Sequence, residues 1–290
     1  MKPPKFSYVR AESVDHALGL LAEHGEDARI LAGGQSLMPT LNMRLSQPRL
    51  LIDINRLDAL EGIALQGDRV RIGALVRHVE VASSRLVAER LPLIAEAMPH
   101  VAHVAVRNRG TFGGSVALAD PAAEMPACVL ALGATLVVAS SKGRREIAAR
   151  DYFLGLYETA RRPDELLIEA LIPVQKPGTV SVFMELARRH GDFAIAGVAF
   201  DLAVEAGHVK NASLVYFGSE ARPTLAAAAL AAAKGKRLGQ PGGDAAAEAL
   251  GRDLDPMSGP QGSAKMRLHL QRVLTRRAFN LAAERAGVAA

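Results

Sequence analysis

The chain has 290 residues, of which 49% are apolar and 22% charged, which is enough for two domains with buried cores and excludes a disordered chain. The formal net charge of +5 comes from dispersed Arg and Lys with no basic cluster interleaved with aromatics, so it reads as solvated surface first, an acidic protein partner second and nucleic acid last. One cysteine, Cys128, excludes an intrachain disulfide or an iron–sulfur cluster held by this chain alone, and no signal-peptide core or run of about 18 apolar residues appears, so a cytoplasmic protein without a transmembrane segment is expected.

In chain order, Phe6 to Arg10 reads as a short edge strand. Ser13 is a good N-cap for a helix carrying Val14, Leu18 and Leu21, which Gly25 can end. The short apolar strand ARILA (Ala28 to Ala32) runs into GGQS, and a helix follows with Pro39 in its first turn and Leu37, Leu41 and Leu45 at helical spacing. LLIDI (Leu50 to Ile54) is a second apolar strand, making a small α/β unit. RVRIGAL (Arg69 to Leu75) alternates like a strand, and Val79 to Pro99 reads as mainly helical. The stretch RNRGTFGGSVALADPAAE (Arg107 to Glu124) is the second glycine-hydroxyl turn. Asp120 and Pro121 offer a cap and first helical residue, but Pro126 argues for a helix starting there and stopping at Gly133. TLVVAS and REIA flank SKGR as a hairpin, and ELLIEALIP (Glu165 to Pro173) is a strand.

QKPG (Gln175 to Gly178) is a plausible boundary, giving residues 1–176 as one domain, with subdomains of about 1–57 and 58–176, and residues 177–290 as the other. Beyond it, SVFMELARR, FAIAGVAFDLAV and HVKNASLVYFG predict a three-stranded antiparallel sheet with short turns. Helices are expected from Thr224 to Lys234, Asp244 to Leu250 and Ser263 to Arg285. The last has Met266, Leu270, Val273, Leu274 and Leu281 as its apolar stripe, with Arg267, Arg272, Arg276 and Arg285 on the other face. The fold class is α+β: two α/β subdomains, then a sheet with covering helices.

The usual signatures are absent. There is no G-x-G-x-x-G after a strand, no phosphate-binding G-x-x-x-x-G-K, no G-x-S-x-G and no H-E-x-x-H. Glycine admits close approach of a ligand, and successive peptide N–H groups with neighbouring hydroxyls can bind an anion. Two glycine-hydroxyl turns therefore read as two walls of a phosphate cradle. Asp120 and Glu124 form either an acid–base pair or, in donor-rich surroundings, acceptors for ribose-type hydroxyls. With no evident protein nucleophile or metal, the chemistry belongs to a bound cofactor with a pyrophosphate, and FAD fits.

Four motifs occur in order: AGGQSLMP (Ala32 to Pro39), TFGGSVALADPAAE (Thr111 to Glu124), DELLIEALIP (Asp164 to Pro173) and ARRHGDFAIAGVA (Ala187 to Ala199). Together they resemble the FAD-binding medium subunit of molybdenum hydroxylases, the carbon monoxide dehydrogenase and xanthine dehydrogenase family. The resemblance implies a vanillyl-alcohol-oxidase-type (PCMH) FAD-binding region and a C-terminal α+β domain. It implies that Leu31, Ala32, Gly33, Gly34, Gln35, Ser36 and Leu37, with Thr111, Phe112, Gly113, Gly114 and Ser115, line the pyrophosphate site. By the same resemblance Glu124, and behind it Asp120, meets the sugar or ribityl region, Leu167 offers backbone to the flavin edge, and Phe193 lies against the isoalloxazine. On their own, Leu167 and Phe193 read as core and Asp120 as a helix cap. Phe112 replaces a smaller residue, which implies a tighter cavity beside the flavin, and Met184 and Glu185 stand where some relatives have a Lys. The implied partners are a small iron–sulfur subunit and a large molybdenum-cofactor subunit, as a dimer of heterotrimers, with electrons passing from the clusters through this flavin to an external acceptor. A self-contained FAD oxidoreductase and a non-catalytic nucleotide-binding protein are the alternatives.

Overall fold

The computed structural model describes residues 2–288. Strand β1 (Ser7–Arg10), helix α1 (Val14–His24), β2 (Ala28–Leu31), α2 (Leu37–Asn42) and β3 (Leu50–Asp53) build a parallel sheet in the order β1-β3-β2. Ser13 caps α1, accepting from the His16 N–H at 3.0 Å, and Gly25 ends it. Leu50, Leu51 and Ile52 are all buried, as expected of a central parallel strand covered on both faces.

The second unit departs from the α/β expectation, because its sheet is antiparallel throughout. Strands β4 (Ile63–Gln66) and β5 (Arg69–Gly73) form a hairpin, of which β4 has no apolar alternation to announce it because Ala64, Leu65 and Gln66 are all exposed. The helical region breaks into α3 (His78–Ser83), α4 (Arg85–Arg90), α5 (Pro92–Ala97) and a 3-10 turn (Met98–His100). Pro92 and Pro99 each lack the N–H that a continuing helix needs and instead sit at helix starts. Then come α6 (Val104–Arg107), α7 (Phe112–Leu118) and α8 (Glu124–Ala131). After these follow β6 (Thr135–Ser140), β7 (Gly143–Ala148), α9 (Ala149–Tyr152), β8 (Phe153–Gly155), β9 (Glu158–Thr159) and β10 (Leu166–Pro173). The sheet order is β4-β5-β10-β6-β7. The expected helix start at Pro126 is corrected: α8 begins at Glu124, and Pro126 lies in its first turn, where no intrahelical N–H bond is lost.

Strands β11 (Thr179–Leu186), β12 (Ala196–Glu205) and β13 (His208–Phe217) form the expected meander, with a fourth short strand β14 (Thr224–Leu225) where a helix start was expected. Helices α10 (Ala227–Ala233), α11 (Gln240–Ala249) and α12 (Ala264–Arg285) cover one face. Side chains alternate across this sheet. Val182, Val198, Phe200 and Leu202 meet the helices, whereas Phe183, Ala199 and Val215 join the core of the second unit. That apolar core therefore runs across the link at residues 175–178.

The stripe expected on α12 holds in part, since Leu274 is buried and Leu270 and Leu281 pack against the core. Its buried face carries Arg267, Gln271, Leu274, Thr275, Ala278, Phe279 and Ala282, while Met266 is exposed. These polar groups survive burial because the end of β13 offers partners. Arg267 Nη1 donates to Gly218 O at 2.8 Å, Gln271 Nε2 to Phe217 O at 2.9 Å, and the Thr275 hydroxyl pairs with Tyr216 Oη at 2.8 Å.

At the far end of α12, Arg285 forks onto both oxygens of Glu96 at 2.8 Å and donates to Ser181 O at 2.6 Å, tying α12 and β11 to α5. Arg285→Ala is expected to lower the unfolding free energy by about 1–2 kcal/mol. Urea unfolding would measure it, with exposed Arg277→Ala changing stability by about 0.5 kcal/mol or less.

Candidate functional site

The chain leaves the parallel sheet at Leu31, turns through Ala32 to Ser36 and enters α2 at Leu37. Gly34 has φ +71°, a conformation costly for a residue with a Cβ. Gln35 Nε2 folds back onto Gly33 O at 3.1 Å. Among the described residues, no backbone or side-chain acceptor meets the peptide N–H groups of Gly33, Gly34, Gln35 and Ser36. Four consecutive uncommitted donors at the carboxyl end of a parallel strand can serve an anion.

The second glycine stretch is different. It is not an open turn but the start of α7, capped by the Thr111 hydroxyl, which accepts from the Gly114 N–H at 3.1 Å. The Phe112 N–H goes to Val76 O at 2.9 Å, the Gly113 N–H to Ala74 O at 3.0 Å and the Ser115 N–H to Thr111 O at 3.1 Å. A second wall of peptide donors is therefore corrected: these four are already used, and what remains for a ligand is the exposed Gly114 surface and the Ser115 hydroxyl. The glycines here provide room. A Cβ on Gly113 would stand 2.5 Å from Ala74 Cα, and one on Gly33 would stand 2.4 Å from Arg109 O. The two stretches thus touch backbone to backbone.

Two residues outside both glycine motifs, Asn55 and Arg77, hold that contact. Asn55 Nδ2 donates to Ala32 O at 2.8 Å and to Leu31 O at 3.2 Å, while Asn55 Oδ1 accepts from Arg77 Nη2 at 2.7 Å. Arg77 Nη1 donates to Arg109 O, next to Gly110. One chain of hydrogen bonds therefore joins both glycine stretches. The only hint in the sequence was an Asn directly after an apolar strand. His78 completes the support: its N–H donates to Gly110 O at 3.0 Å and its ring packs against Gly110.

The remaining expected residues divide. Phe112 is 1% exposed in the core, so its ring does not tighten a ligand cavity. Leu167 is also core, but it stands at a bulge in the β10–β6 pairing, where the ladder is interrupted. Asp120 acts as a turn cap, accepting from the Ala122 N–H at 2.9 Å and from Tyr157 Oη at 3.1 Å. That carboxylate and burial push the Tyr157 hydroxyl up to about 12, with burial the larger cause. Phe193 is 53% exposed on the loop between β11 and β12, free to cover a ligand. Glu124, first residue of α8, is 5% exposed, and burial, then the neighbouring Glu185, pushes its carboxyl up to about 8. Glu185 is buried against His100 rather than presenting charge to solvent.

Burial, with the Arg107 charge behind it, pushes the His78 imidazole down to about 4 from its ordinary 6.5. The folded chain then binds fewer protons than the unfolded chain between those values. The contribution to stability is present above pH 6.5 and is lost as pH falls through 4. It is worth about 3 kcal/mol. In His78→Leu, the drop in unfolding free energy between pH 7 and 4.5 should shrink by about 2–3 kcal/mol in denaturant titrations.

Known proteins share this architecture along its whole length. The family model described as FAD binding domain in molybdopterin dehydrogenase matches residues 4–175, and that described as CO dehydrogenase flavoprotein C-terminal domain matches residues 181–282. The chain is 40% identical over 287 residues to the 6-hydroxypseudooxynicotine dehydrogenase complex subunit alpha of Paenarthrobacter nicotinovorans, covering 99% of this chain and 97% of that one. A solved carbon monoxide dehydrogenase chain from Hydrogenophaga pseudoflava superposes with TM-score 0.95 at 38% identity, covering 98% and 99% of the two chains. A chain of quinoline 2-oxidoreductase from Pseudomonas putida 86 gives TM-score 0.93 at 38% identity, covering 99% of each. The chain therefore belongs to the FAD-binding flavoprotein family of molybdopterin dehydrogenases, the one that includes the carbon monoxide dehydrogenase medium chains, and is an oxidoreductase subunit with FAD as its cofactor.

Proposed function

We propose that this chain carries FAD as the electron-transfer subunit of a three-subunit molybdenum-containing hydroxylase or dehydrogenase. The observation that carries the reading is the row of uncommitted N–H groups from Gly33 to Ser36, set against a second stretch so close that a Cβ at Gly33 would clash. A cradle of peptide donors with no side chain in the way fits a pyrophosphate. When bound, FAD supplies the capacity to take up and pass on electrons.

The chain's own residues hold and orient that group. Residues 31–37 and the Ser115 hydroxyl, with Thr111, Gly113 and Gly114 shaping the opposite side, would bind the pyrophosphate. Glu124 would meet the sugar or ribityl chain, the interrupted ladder at Leu167 would offer backbone to the ring edge, and Phe193 would cover a ring face. Phe112 and Asp120 act from behind, through the core and the turn at residues 120–122. Residues 1–176, divided near residue 57, form the FAD-binding part, and residues 177–290 form the part that closes over it.

A partner must carry the iron–sulfur clusters, since a single buried cysteine cannot ligate one alone. Electrons reach this flavin from a small iron–sulfur subunit, having left the substrate on a large molybdenum-cofactor subunit, and pass to an external acceptor. Assembly is as a dimer of heterotrimers in the cytoplasm. No helix among the described residues is long and apolar enough to cross a membrane.

Purified chain mixed with FAD and passed through gel filtration should elute with flavin absorbance. Gly33→Ala forces Arg109 O away from the first turn, and should weaken FAD binding at least about tenfold with the circular dichroism unchanged. A chain that stays colourless even with its partner subunits present would contradict the reading, and substrate turnover by the isolated chain would favour a self-contained oxidoreductase.

A further inference from the structure

The C-terminal part of the chain grips the FAD-binding part through one glycine just past the end of β13. Gly218 has φ +82°, and a Cβ there would stand 2.8 Å from Ala194 O, so the position excludes a side chain on two counts. Its N–H donates to Pro121 O at 2.8 Å. Pro121 lies in the turn that opens at Asp120 and leads into α8 at Glu124, and Ala194 follows the exposed Phe193. Gly218 therefore touches both the turn before Glu124 and the loop of Phe193.

The same glycine is fixed from behind. Arg267 and Gln271 stand one turn apart on the buried face of α12. Arg267 Nη1 donates to Gly218 O at 2.8 Å, and Gln271 Nε2 donates to Phe217 O and to Ser219 Oγ, each at 2.9 Å. The Met257 N–H adds a bond to Ser219 O at 2.9 Å. Burying a guanidinium is costly, and Arg267 Nε meets no acceptor among the described residues. What its burial secures is a charged donor on the Gly218 carbonyl. Tyr157 holds the turn at the neighbouring residue: its hydroxyl donates to Asp120 at 3.1 Å, from a backbone at φ +56° that a bulky residue rarely adopts. Among the described residues, no hydrogen bond joins residues 217–222 to residues 31–37.

We propose that Gly218, with Arg267 behind it, is the positioning residue for the flavin half of FAD. It sets the turn before Glu124 and the loop of Phe193 in one frame, so that α12 controls how the ribityl chain and ring are held. The pyrophosphate cradle at residues 33–36 is outside its reach. The role rests on the FAD reading above, which gives Glu124 and Phe193 to the flavin end.

FAD and ADP separate the two ends, because ADP carries a pyrophosphate but neither ribityl chain nor ring. Arg267→Met keeps most of the side-chain stem and removes the donor to Gly218 O. In the full chain it should raise the dissociation constant for FAD about tenfold and change that for ADP by less than about twofold. The visible circular dichroism of the bound flavin should change while the far-ultraviolet spectrum of the protein does not. Amide exchange in the unaltered chain tests the same role without a variant. At equal saturation, FAD should slow exchange at Gly218 at least about fivefold more than ADP does. Unchanged FAD affinity in a folded Arg267→Met chain, or FAD and ADP weakened alike, would overturn the positioning role. Equal protection of Gly218 by the two ligands would overturn it as well. An unaltered chain that takes up neither ligand, even with its partner subunits present, would instead overturn the proposed function, and the positioning role with it.

Discussion

The site depends on one backbone contact. Gly33 lies so close to Arg109 and Gly110 that no side chain fits between them. This contact is not held by apolar packing, because glycine has almost none to offer. It is held by the bridge from Ala32 O through Asn55 and Arg77 to Arg109 O, which spans the parallel sheet of the first unit and the antiparallel sheet of the second. A charged donor fixed to a backbone carbonyl is among the stronger hydrogen bonds available. The residues after β2 and β3 and those just before α3 and α7 meet at that bridge.

The two stretches then divide the work. The first leaves its donors free because it is a loop with a left-handed Gly34 and no ladder to join. The second commits its donors because α7 has a threonine cap and lies against the chain at residues 74–76. The first stretch offers free donors and the second is rigid. The C-terminal sheet completes the arrangement by sharing the second unit's core through Phe183, Ala199 and Val215, and by pinning its edge through Arg285. That shared core places a buried ionisable cluster on the seam, where burial raises the cost of charge.

Much of this was legible where local chemistry decides it. Ser13, Gly25 and the apolar strand LLIDI announce their elements, and the two glycine motifs mark the stretches that meet backbone to backbone. The rest was hidden by distance along the chain. Thr-Phe-Gly-Gly reads as a turn until Ala74 and Val76 take its N–H groups. Arg267 reads as part of the polar face of its helix until Gly218, about fifty residues away, supplies an acceptor. Arg77 carries no local signal and Asn55 only its place directly after an apolar strand, since their role exists only when two sheets meet.

The central claim is that one stretch supplies the peptide donors and the other only the wall. Amide hydrogen exchange, measured residue by residue with and without FAD, tests this directly. The account predicts that FAD slows exchange at Gly33 to Ser36 and leaves Phe112 to Ser115, already hydrogen-bonded, unchanged. New protection at Phe112 to Ser115 with none at Gly33 to Ser36 would contradict it.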